Sequence, residues 1–157
     1  MSKWIGGSGA GLTTWADAFT STTLNSLGAG NAIISDLLIS NNTPLDMFAD
    51  ISISLGSAAF VAPAQVALYI YPLNRDGTTF GDGRYFPSGV PTAAAGPPAF
   101  HNYACTIQLV AATQAQVGTF TGLQLPPRPF RFVMYNPNTV GFAASGNSCQ
   151  YQTYNIG

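Results

Sequence analysis

Between residues 51 and 55 apolar and polar side chains alternate without a break, Ile51, Ile53 and Leu55 against Ser52 and Ser54. Alternation at period 2 puts one set on each side of an extended chain, so it specifies a strand with one buried and one semi-polar face. The same pattern recurs in Val66, Leu68 and Ile70, in Tyr103, Cys105, Ile107 and Leu109, and in Phe130, Phe132 and Met134. Fainter strand signals cover 32–40, 117–125 and 148–155. Between these runs stand clusters of Pro, Gly and Asn at 40–44, 87–98, 125–129 and 136–141, which read as turns and surface loops. Seven or eight short strands with such punctuation predict an all-β fold, an antiparallel β-sandwich of jelly-roll type.

Helix formers are nearly missing from the chain: it has no Glu, and Lys3 is its only lysine. One short helix is expected within 14–28, where Trp15 and Phe19 would share a face. The Gly-rich run GGSGAG at 6–11 reads as a tether, so residues 1–13 are expected to form a flexible arm and 14–157 a single sandwich domain. At 157 residues the chain is long enough to bury a core without staples.

Charge narrows the function classes. Only 7% of residues are charged, against about 25% in an ordinary soluble protein, and the net charge is −1. That balance offers no electrostatic footprint for nucleic acid or for an anionic membrane. No apolar run reaches membrane-spanning length, and the N-terminus lacks the apolar core of a signal peptide, so export by that route is not expected. A surface so poor in charge suits a chain covered by Ser, Thr, Asn and Gln and partly buried against partners. Cys105 and Cys149 form no paired motif and read as two small buried hydrophobes.

The densest chemistry lies in NRDGTTFGDGR, 74–84. Aligned as a calcium loop with Gly77 at the sixth position, it has Asn74 and Asp76 where ligands belong. Pro72 and Gly83 then fall at the first and twelfth positions, where neither side chain can bind a cation. Asn74, Asp76 and Asp82 would be the donors of a looser site, but the run reads more simply as a tight turn joining two strands, and no metal is expected. Catalysis has no candidate either. His101 stands alone, the six Asp are scattered, and no nucleophile motif is present, so the chain is expected not to be an enzyme and to need no cofactor.

Three longer stretches carry a resemblance: GLTTWADAFTSTTLNSLGAGNAIISD with LDMFADISISLGS, VALYIYPLNRDGTTFGDGRY, and RFVMYNPNTVGFAASGNSCQYQTYN. Together they resemble small virion structural proteins of tailed bacteriophages, among them the capsid decoration, or cement, proteins built on a β-sandwich. The resemblance implies a virion protein, made in the bacterial host cytoplasm, that binds the capsid exterior and bridges neighbouring subunits. Its expected partners are the major capsid protein and copies of itself, with a trimer at three-fold sites as one arrangement. On that reading Lys3, Trp4 and Ile5, Arg75 and Arg84, and Pro91 and Pro97 are the expected contact residues. The alternative is a glycan- or receptor-binding module of a tail or fibre, with a host glycan stacked on Tyr69, Tyr71, Tyr85, Phe86, Tyr151 or Tyr154.

Overall fold

The computed structural model describes residues 4–6, 14–20, 22–41, 45–74 and 93–156. They form ten strands: β1 (Trp4–Gly6), β2 (Ala16–Asp17), β3 (Asn31–Ile34), β4 (Phe48–Ala59), β5 (Gln65–Pro72), β6 (Ala93–Ala95), β7 (Tyr103–Gln108), β8 (Thr113–Gln124), β9 (Phe130–Tyr135) and β10 (Ser148–Ile156). One sheet has the order β1-β10-β4-β8, with β2 also on β10; the other has the order β6-β3-β9-β5-β7. Every pairing is antiparallel.

The topology is that of a jelly roll. Outbound strands β2, β3, β4 and β5 pair with returning strands β10, β9, β8 and β7 respectively, as in one long hairpin rolled up on itself. Adjacent pairs of that hairpin lie in opposite sheets, which gives the blocks β2-β10-β4-β8 and β3-β9-β5-β7. β1 and β6 are additions at the two outer edges.

In β4, β5 and β9 the inward set is the one that period 2 marks out. Ala49, Ile51, Ile53 and Leu55 of β4 face Val66 and Leu68 of β5 and Phe130, Phe132 and Met134 of β9 in one core cluster. Phe130 and Phe132 meet edge to face with centroids 5.3 Å apart. Burying a side chain such as Ile53 completely contributes about 1.5–3 kcal/mol. Both cysteines are free thiols inside this core.

Three expectations need correction. β5 is buried on both faces, because Ala67, Tyr69 and Tyr71 join Ala32, Ile34 and Val133 in a second cluster on the outer side of the second sheet. No helix forms within the described part of 14–28: Ala16–Asp17 is a strand, and hydrogen-bonded turns follow. The backbone groups that a helix would use are taken elsewhere, Ala18 N–H by the Cys149 carbonyl and Ser26 N–H by the Ala143 carbonyl. Ser26 also has φ of 59°, which a right-handed helix cannot contain. Finally, the loop expected at 87–98 contains β6, which pairs with β3.

Of the expected arm, Trp4–Gly6 lies along Tyr154–Ile156 at the sheet edge. Lys3 and the rest of 1–13 fall outside the described residues.

Candidate functional site

In a jelly roll the edges β7 and β8 belong to different sheets and face each other across the open side of the sandwich. Their separation is decided locally. Near Gly118 the two edges touch: a side chain at this position would overlap the Ile107 methyl, so glycine permits the approach. The Gln116 side chain then ties the strands' turn, accepting from Val110 N–H at 2.6 Å and donating to the Val110 carbonyl at 2.7 Å.

Away from that contact the edges part. β7 carries an extra residue where Leu68 pairs with Cys105 but Tyr69 pairs with Tyr103. β8 carries one where Ala49 pairs with Leu123 but Ile51 with Phe120. Each bulge bends its strand and increases its twist. Gly122 in the second bulge has φ of 75°, and its N–H donates to Asp50 Oδ1 at 3.0 Å.

The result is a cleft of about 550 Å³ between the two bulged edges. Its apolar lining comes from Ile70, Phe120, Leu123 and Leu125, with Pro72, Pro126 and Pro127 toward the loops. Its polar lining residues are Asn102, Gln124 and Tyr103. The Asn102 Nδ2 is buried and has no hydrogen-bond partner. Among the described lining residues none is a carboxylic acid, a basic side chain or a thiol.

A short 3-10 helix, Phe100–Asn102, stands beside it. It holds Phe100 86% exposed, with its ring stacked on Tyr103 at 6.0 Å and 4° between planes. Tyr103 in turn meets Tyr69 edge to face at 5.7 Å, and its hydroxyl hydrogen-bonds with Thr106 Oγ1 at 2.8 Å. Burial pushes the Tyr69 hydroxyl up in pKa, helped by the nearby Tyr135 and Tyr103.

The same end of the sandwich is apolar elsewhere. The start of β4 and the end of β8 meet here, Phe48 opposite Gln124. Leu38, Leu45 and Met47 are 49%, 52% and 51% exposed. Asn41 braces their loop: its Nδ2 donates to the carbonyls of Asp46 and Pro126, and its Oδ1 accepts from Asp46 N–H.

The residues singled out from the sequence are placed unevenly. Asn74 is exposed just past β5, and Pro97 is exposed before the 3-10 helix. Arg75, Asp76, Asp82, Arg84 and Pro91 lie outside the described residues, as do Tyr85 and Phe86. Tyr69, Tyr71 and Tyr154 are buried and Tyr151 is half-buried, which removes the three buried rings as stacking platforms for a ligand. Among the described residues no three His, Cys, Asp or Glu side chains cluster to hold a metal ion. Sequence reasoning missed Tyr103, Phe100, Asn102 and Gln124. The period-2 pattern placed Tyr103 on the buried face with Cys105, and the bulge at Ala104 turns it to the other face. The one signal in the sequence was Phe100 standing in a Pro- and Ala-rich loop with no strand to bury it.

Comparison with protein-family models, with curated proteins and with solved structures gives no match.

Proposed function

We propose that the chain is a structural protein of a tailed-phage virion, binding the capsid exterior in many copies and bridging neighbouring subunits. The observation that carries this reading is the apolar end of the sandwich. Leu38, Leu45, Met47, Phe100 and Tyr103 are all more than 40% exposed there, in a chain with five basic and six acidic residues. Exposed apolar side chains gathered on one part of a surface favour a partner over water. The jelly roll is also an architecture used by viral shell domains, a support by analogy of fold. On a symmetric lattice each small patch is repeated, so avidity supplies affinity that one contact lacks.

The test is co-sedimentation of the purified protein with capsids of the phage that encodes it, together with mass spectrometry of purified virions. A fixed ratio to the major capsid protein is expected, and Leu45→Asp with Met47→Asp should weaken binding about tenfold or more. Virions without the protein, and capsids that leave it in the supernatant, would remove the proposal.

A further inference from the structure

The edge of a β-sheet carries backbone groups that take a further strand, and proteins keep such edges short, charged, bulged or covered. The two sheets here end on β1 and β6, of three residues each, on β7, of six, and on β8, of twelve. Only the last is long, and neither charge nor proline blunts it: from Asn102 to Leu125 the chain has no Asp, Glu, Lys, Arg, His or Pro. Eight of its twelve residues are exposed, Val117 to 74%. Alternate residues spend their N–H and C=O on β4, so the others point theirs away from it and, among the described residues, meet no strand. β7 touches β8 at Gly118 through Ile107, a side chain of the core, and not through a ladder. We infer that this edge pairs with β8 of a second copy of the chain, antiparallel about a two-fold axis, joining two copies of the first sheet into one.

Two features choose a second copy over a foreign strand. The first is self-complementarity. β8 runs without a register shift from Gln116 to Phe120 against Leu55 to Ile51, and shifts bound that run on both sides, so its centre is Gly118. An axis there sets Val117 opposite the partner's Thr119, and Thr119 opposite the partner's Val117. Both residues are exposed, on the side of the sheet away from the core. β-branched side chains pair well across strands, and no like charges meet. The pairing also covers part of Val117, whose exposure in a single copy favours burial. The second feature is closure. An isologous pair uses up both long edges and leaves only the short strands β1 and β2 at the rims of the joined sheet, so growth through this edge stops at two copies. None of these residues belongs to the apolar end that carries the capsid reading, so the pairing stands apart from it.

The experiment is sedimentation velocity of the full chain from about 1 to 100 μM, with hydrogen exchange followed by mass spectrometry. A mass twice the 16.4 kDa of one chain is expected, with 116–120 exchanging more slowly as concentration rises. Val117→Lys with Thr119→Lys places lysine against lysine twice across the axis and should raise the dimer Kd about tenfold or more. Val117→Lys with Thr119→Asp places lysine against aspartate at the same two positions and should restore much of the pairing. That rescue separates the two-fold register from a general effect of charge on the edge. Both positions are exposed, so both variants should keep the circular dichroism of the parent. A parent that sediments as a monomer or a trimer throughout this range would overturn the inference. A dimer untouched by the two lysines, or no difference between the two variants, would do the same. Slow exchange of 116–120 on capsids alone would give the edge to the capsid protein and remove the pairing of copies. Capsid binding is read separately, so failure of either reading is told from failure of the other.

Discussion

Replacing Asn41 by Ala tests how a chain with so few charges holds its loops together. The side chain is 2% exposed and makes three hydrogen bonds, two donated to the Asp46 and Pro126 carbonyls and one accepted from Asp46 N–H. It therefore pins the loop before β4 to the 125–129 loop that walls the cleft. Each such bond contributes about 0.5–1.5 kcal/mol net, so losing all of them costs about 2–4 kcal/mol. For a domain of this length each kcal/mol moves Tm by about 2–4 °C, so the variant should melt about 5–15 °C below the parent. Asn41→Asp is the sharper probe. It keeps the shape and the acceptor but turns both donor contacts into oxygen facing oxygen, so at neutral pH its loss should equal or exceed that of Ala. Thermal melts followed by circular dichroism, with urea unfolding at unchanged m-value, supply the measurement. A Tm within about 2 °C of the parent for both variants would refute the clamp. It would mean that backbone bonds, Ile39 with Phe130 and Leu125 N–H to the Met47 carbonyl, hold this end without it.

Three further perturbations follow from the geometry. Burial works to raise the Asp36 pKa, but hydrogen bonds from Thr20 and Thr23 outweigh it and hold the carboxyl below its ordinary range. Its stabilising contribution is therefore complete above the unfolded value of about 3.9 and lost as pH falls through the lower folded value. The Tm gap between the parent and Asp36→Ala should be constant near neutrality and close in acid; a gap that widens in acid contradicts the sign. Burial pushes the Cys105 thiol up to about 12 and raises that of Cys149 as well, with Cys105 and Asp17 adding to the latter. Neither should react with a thiol reagent at pH near 8 in the native protein, and both should react in denaturant, giving two adducts by mass; fast native labelling would show an open core. A methyl added at Gly56 would overlap the Ser145 carbonyl oxygen, so Gly56→Ala should cost about 1–3 kcal/mol in urea unfolding, and a neutral result would show that the 143–147 loop yields freely.

Much of the fold was legible because strand patterning is local. Ile51, Ile53 and Leu55 point inward in the structure as their alternation with serine requires, and Phe130, Phe132 and Met134 do the same. The misread places share a cause. Tyr69 and Tyr71 alternate with Val66, Leu68 and Ile70, a pattern that puts them on an outer, semi-polar face, yet a second cluster buries them. Thr20 and Thr23 sit in a segment with a faint helical pattern, yet both bond to Asp36 far along the chain, which favours turns. The candidate site was the least legible part. Its aromatic pair depends on one extra residue in β7, and a bulge leaves no mark in a pattern of apolar and polar residues.

What the sequence determined by itself is the set of strands and the inward face of most of them, because side chains on an extended chain must alternate sides. The tertiary structure alone decided which edges face each other, where the bulges fall, and hence that Tyr103, Asn102 and Gln124 border one cleft. The reason is physical: register and edge separation depend on contacts such as Gly118 against Ile107 and Gln116 on Val110, between elements whose closeness no local pattern encodes.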